Sequence, residues 1–391
     1  MTKIALIKGQ NLRDDGNVLV WEELNRNSKY DVVAFGSDPS RYDTSGIDLP
    51  IRKFPWVDGK YDLFDYDHFG FAALRKARLP AGYLYGISSL VEEFDVLHAN
   101  ENFNAFSIQA ALAARNEDVK FTFTAGENIP YPRFQHNPIL WWLKKFVNST
   151  ADGITTTTKA GKRALIHEGV TFEKIDVIPN TIPIDKFQPN IKNTPTEYNL
   201  PTATTNETTI LFVHRPSEQK GTPYLLEAFF NIQDKYNKTR LILVGENMMG
   251  ENLTERIKQN DQINWLERIP HEQMPGLYAI SDIFILPSVT MTNNEEQFGM
   301  GLLEAMACGL PAVVTDVGGI PHVTEPGETA LVIDERSSDD LADALERLIT
   351  NPELRTDLGQ AGRQRVEATF APSKVASELE SFYDEVLYQD G

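Results

Sequence analysis

The stretch from Asp282 to Thr315 constrains the fold of this chain more than any other. Asp282-Ile-Phe-Ile-Leu-Pro287 is an apolar run of strand length closed by a proline, and Leu310-Pro-Ala-Val-Val-Thr315 reads as a second strand. Between Gly299 and Cys308 the apolar residues recur at helical spacing, and Gly309 followed by Pro311 is a helix stop. The unit is therefore strand, polar loop, helix, strand. It places the loop and the helix N-terminus at the carboxyl edge of a parallel sheet, where open α/β sheets bind ligands.

Two carboxylates bracket that loop and helix: Glu296, and Glu304 eight residues on. Gly299 and Gly301 leave backbone N–H groups uncovered near the helix start, which suits an anion such as a phosphate. The carboxylates would accept hydrogen bonds from hydroxyls on either side of it. Sugar, phosphate and ribose together describe a nucleotide sugar. Taken singly, each glutamate is most simply a solvated surface charge, because the chain holds 56 acidic residues.

Upstream, the strand Thr209–Val213 runs into His214-Arg-Pro-Ser-Glu-Gln-Lys-Gly221 and a helix from Pro223 to Ile232. Arg215 and Lys220 lie in that loop, and a cation pair beside a helix start is a natural site for a diphosphate leaving group. Alone, the two would be ordinary surface cations. Arg240–Glu246 reads as the next strand and turn, and Met274–Ser281, Leu341–Thr350, Arg355–Phe370 and Ser373–Leu387 read as helices. The first half alternates in the same way. Ile4–Ile7, Asp31–Phe35, Phe94–His98, Lys120–Thr124, Gly153–Thr158 and Asp176–Ile178 are its strands, with helices at Phe103–Ala114, Pro138–Val147 and Lys159–Glu168. Such alternation implies parallel sheets covered by helices on both faces.

At 391 residues the chain calls for two or three domains. Thr181–Thr209, rich in Pro, Asn and Thr, is the expected linker. The expected division is residues 1–200 plus 373–391 against 206–372. No apolar run is long enough to span a bilayer, the first residues read as a strand rather than a signal peptide, and Cys308 is the sole cysteine. These features favour the cytoplasm. A net charge of −19 argues against nucleic acid as a partner and obliges an anionic substrate to find a local cationic site.

Several other residues invite a role. Gly9 follows the first strand at its carboxyl edge. His98 ends a strand and is a candidate lining residue, although a lone histidine there is more often structural. Asp65-Tyr-Asp67-His68 offers too few oxygen ligands to be read as a metal site. Ile139-Leu-Trp-Trp-Leu-Lys-Lys-Phe146 mixes aromatics with two lysines. It reads either as a core helix with solvated lysines or as a helix resting on a membrane surface, peripheral at the inner face.

The run from Glu296 to Pro311, with Thr315-Asp-Val-Gly-Gly-Ile-Pro321 after it, resembles the donor-site signature of retaining glycosyltransferase family four. Arg215 to Gly221 is similar to the family's R-x-x-x-x-K-G, with His214 in place of a common glycine. The resemblance covers the second half closely and the first half more loosely. It implies the GT-B fold: two Rossmann-like doubly wound α/β domains facing across a cleft, with the last helix crossing back to the first domain. It implies a metal-independent hexosyl transfer, without a cofactor, from a nucleotide-diphosphate sugar to a hydroxyl of a glycan or lipid-linked acceptor. Arg215, Lys220 and Glu296 would be the catalytic groups. Phe298, Gly299, Met300 and Glu304 would bind the donor, with Arg268 and Ile269 near the nucleobase and Gly9 near the phosphates. Where the family places a cleft histidine, this chain has Gly126, so Glu127 becomes the neighbouring candidate on the acceptor side with His98. Two other readings stay open: a nucleotide-sugar epimerase on the same fold, and a non-catalytic nucleotide-sugar-binding protein.

Overall fold

Two separate parallel sheets form in the computed structural model, which describes residues 1–13, 16–27, 29–57, 83–115, 117–130, 137–189, 207–246, 248 and 251–388. They belong to two units: Met1–Thr181 with Pro372–Gly391, and Ile182–Ala371. The second unit begins at the start of the expected linker, because Ile182 and Phe187 are buried in its core. The expected boundary at residue 200 therefore moves back to 181. Asp65, Asp67 and His68 lie outside the described residues.

In the first unit the strands are β1 (Thr2–Gly9), β2 (Tyr30–Asp38), β3 (Ile51–Val57), β4 (Tyr83–Leu84), β5 (Val96–Asn100), β6 (Lys120–Ala125), β7 (Gly153–Thr156) and β8 (Ile175–Val177). Among the described residues their order is β4-β3-β2-β1-β5-β6-β7-β8, parallel except for β3 against β4. Ile4, Ala5, Leu6 and Ile7 are all fully buried, so β1 is covered on both faces, as a central parallel strand must be. Strand β3 carries Arg52, Lys53 and Pro55, and its lack of a clean apolar alternation hid it from the sequence reading. The last helix, Pro372–Tyr388, packs Val375, Leu379, Phe382 and Tyr383 into the same cluster as Trp21, Leu24 and Tyr30. The return of the chain to its first unit thus rests on apolar burial, and Tyr30 adds a hydrogen bond to Asp384 at 2.6 Å.

The second unit holds β9 (Thr208–Val213), β10 (Thr239–Val244), β11 (Ile263–Leu266), β12 (Ile283–Leu286), β13 (Ala312–Thr315) and β14 (Ala330–Ile333). All are parallel, in the order β11-β10-β9-β12-β13-β14. The winding reverses between β9 and β12. The loops leaving these two strands therefore diverge at one switch point, where a doubly wound sheet opens a crevice. No helix among the described residues is long and apolar enough to cross a membrane.

Candidate functional site

The switch point of the second sheet brings together the residues that its two loops carry. After β9 the chain turns through His214–Gly221 into the helix Thr222–Ile232. Gly221 has φ +68°, and a Cβ there would stand 1.8 Å from the carbonyl oxygen of Pro287, so only glycine lets this turn lie against the end of β12. Lys220 Nζ donates to Glu296 Oε2 at 2.7 Å. Ser288, the second residue beyond β12, donates to the same oxygen at 2.8 Å. Ser288 is itself held from behind, with its carbonyl accepting from Thr315 Oγ1 at 2.6 Å.

Glu296 is 5% exposed. Burial alone would push its carboxyl up. The charge of Lys220, with hydrogen bonds from Lys220 and Ser288, outweighs burial and holds it below the usual carboxylate range. It is therefore an anion at neutral pH. Burial pushes the His214 imidazole down to about 4, and the Lys220 charge acts in the same direction. The buried Nε2 of His214 has no hydrogen-bond partner among the described residues.

Gly299 (φ +85°) caps the helix Met300–Ala307, and no side chain caps that terminus. The Phe298 ring points into the core, 6.0 Å from Phe370, so only its backbone is free to serve a ligand. Glu304, within the helix, accepts from Tyr278 OH at 2.8 Å and lies 2.9 Å from His271 Nε2. Burial and the Glu304 charge drive the Tyr278 phenol well above its ordinary value, so it remains a donor. Burial pushes Cys308 up to about 12, which leaves the sole cysteine a thiol.

Arg215 does not join Lys220. It is exposed and makes no hydrogen bond or ion pair among the described residues. Arg268 is also exposed, beyond β11, while Ile269 packs against the core cluster. Ser288, His271 and Tyr278 were not anticipated. A serine just beyond a Pro-terminated strand was a usable signal for the first. Nothing local distinguishes the other two, which reach Glu304 from 33 and 26 residues away.

The family described as Glycosyl transferases group 1 matches residues 199–365, and Glycosyltransferase Family 4 matches residues 22–186. The chain belongs to glycosyltransferase family four. The D-inositol 3-phosphate glycosyltransferase of Corynebacterium jeikeium is 30% identical over 226 residues, covering 54% of this chain and 52% of the relative. The match thus spans about half the length of that relative. Sucrose-phosphate synthase from Thermosynechococcus elongatus superimposes with a TM-score of 0.73 at 19% identity, over 100% of both chains. HepE from Anabaena, solved with UDP, gives 0.73 at 16% identity over 98% of this chain and 100% of its own. These likenesses establish the GT-B fold.

The first-unit residues expected of a family-four chain fare differently from those of the second. Gly9 ends β1 at φ +55°, and a Cβ there would stand 2.8 Å from the Phe106 ring. His98 is corrected from a lining residue to a structural one. It is fully buried in β5, 2.9 Å from the hydroxyls of Thr122, Thr124 and Tyr383, with its ring 4.5 Å from that of Trp21. Glu127 is half-buried just beyond β6. In the helix Pro138–Thr150 the two lysines separate. Lys144 is buried in an ion pair with Glu168 at 2.6 Å, whereas Lys145 lies over the Trp141 ring at 4.3 Å.

Proposed function

We propose that this chain transfers a hexosyl unit from a nucleotide-diphosphate sugar to an acceptor hydroxyl, with retention of anomeric configuration and without a metal. The observation that supports it most is the pairing of Lys220 with Glu296 at 2.7 Å beside the uncapped start of the helix Met300–Ala307. Bond cleavage leaves charge on the diphosphate. Lys220 and the backbone N–H groups of Phe298, Gly299 and Met300 stabilise that charge, and Arg215 adds a cation at the rim. Glu296 accepts hydroxyls of the transferred sugar and orients its anomeric carbon, while Glu304 accepts those of the ribose. Arg268 and Ile269 supply backbone groups to the nucleobase, and Gly9 and Glu127 belong to the phosphate and acceptor sides.

The family implies front-face attack. The bond from the anomeric carbon to the diphosphate oxygen breaks as the acceptor oxygen bonds from the same face. The acceptor proton passes to the departing phosphate. Exposed Ile139, Trp141 and Trp142, flanked by Lys145, suit peripheral contact with a membrane carrying a lipid-linked acceptor. Burial of Lys144 leaves that surface less basic than the sequence suggests.

The test is nucleoside diphosphate release from a panel of UDP-, GDP- and ADP-sugars, with and without acceptor. NMR of the first-formed product reads the stereochemistry. Release with a retained anomer supports the proposal. An inverted product removes retention, and a protein that binds donors but never turns them over removes the activity.

A further inference from the structure

Both oxygens of Glu304 already have partners, and the two partners are unequal. Tyr278 is fully buried in the helix Met274–Ala279, and its hydroxyl also reaches the Gly301 carbonyl at 3.2 Å. It cannot leave Glu304 Oε2 without opening the core. His271 sits on the single turn His271–Gln273, and its side chain is 67% exposed. The oxygen it covers, Oε1, is therefore the one that faces outward, and Glu304 itself is 7% exposed.

The surroundings of His271 favour a charged imidazole. Its hydrogen bond to Glu304 raises it above the ordinary histidine value of 6.5 against the opposing effect of burial. The charges of Glu304 and Glu272 act in the same sense as that bond, and Lys186 acts against it. The Phe187 ring lies 5.7 Å away and adds no charge. Two other titratable groups beside Glu304, Tyr278 and Cys308, stay protonated.

We propose that His271 is a displaceable cover on Glu304, and that ribose hydroxyls bind by taking its place on Oε1. The inference rests on the reading of Glu304 as the ribose acceptor. On exchange, a ribose hydroxyl donates to Oε1, the imidazole turns outward, and its proton is released to solvent as its affinity for the proton returns to the ordinary value. Nucleotide affinity therefore rises with pH, from 6.5 upward through the raised value of the covered state.

The full chain with labelled histidines is titrated by NMR, with and without UDP, GDP or ADP. The affinity of each diphosphate is measured by calorimetry from about pH 5.5 to about 8.5. In the free protein His271 should titrate above 6.5, and it should fall from that raised value in E304Q and in the nucleotide complex. Wild-type affinity should rise severalfold across the window, whereas H271A should lose that slope and bind at least as tightly at the acid end. The proposal is overturned if H271A binds more weakly at every pH, or if nucleotide leaves the titration of His271 unmoved. If His271 titrates high but no diphosphate binds either protein, the ribose reading of Glu304 fails and the cover fails with it.

Discussion

The ammonium of Lys220 lies 2.7 Å from Oε2 of Glu296, although 76 residues separate them in the chain. Neither group is an ordinary surface charge, since their side chains are 19% and 6% exposed. The contact exists because β9 and β12 are neighbours at the point where the sheet reverses its winding. Lys220→Ala should lower turnover by about 100- to 1,000-fold, the usual cost of losing one donor to developing negative charge. It should also destabilise the protein, because it leaves Glu296 buried without its cation. Steady-state kinetics together with thermal unfolding check both effects, and an unchanged turnover number would free Lys220 of any mechanistic role.

Glu304→Ala should act on donor affinity more than on turnover. A hydrogen bond to a charged group contributes about 1.5–3 kcal/mol, which corresponds to roughly 10- to 100-fold in dissociation constant. Calorimetry with nucleoside diphosphates is the measurement. Equal affinity in the variant would remove the ribose role.

Gly318→Ala should disable the site without touching a charge. Gly318 has φ +59°, and a Cβ there would stand 2.0 Å from the carbonyl oxygen of Glu296, which already accepts from Gly319 N at 2.8 Å. The loop must shift and carry Glu296 away from Lys220. Left-handed backbone at a non-glycine residue also costs about 1–3 kcal/mol. A fall in both activity and melting temperature is expected, and full activity in the variant would show that this loop does not position Glu296.

Acid should destabilise the first unit through His98. Burial, assisted by the charge of Lys8, lowers its imidazole well below 6.5. Below 6.5 the unfolded chain therefore binds a proton that the folded one refuses. Stability is full above that value and falls with decreasing pH, by about 1.4 kcal/mol per pH unit for one histidine. His214, held at about 4, adds the same dependence in the second unit between 6.5 and that value. Urea unfolding followed against pH should show a flatter acid limb in His98→Gln than in the wild type, even though the variant starts from lower stability because it loses contacts to Thr122, Thr124 and Tyr383. An equal slope in both proteins would place the acid sensitivity elsewhere.

Much of this was determined by the sequence alone. Apolar runs of strand length, helical spacing and glycine or proline stops are local signals. They located most of the strands, the helix Met300–Ala307 and the loops that carry Lys220 and Glu296. Partnership is not a local property, and only the tertiary structure decided it. The order β11-β10-β9-β12-β13-β14 set the loop after β9 beside the loop after β12, and so Lys220 against Glu296, and delivered His271 and Tyr278 to Glu304. The packing of the helix Pro372–Tyr388 turned His98 from a candidate ligand contact into a buried cross-link with Tyr383, 285 residues away. Periodicity records which face of an element avoids water. It carries no record of which distant element will cover that face, because that choice is made by the winding of the whole sheet.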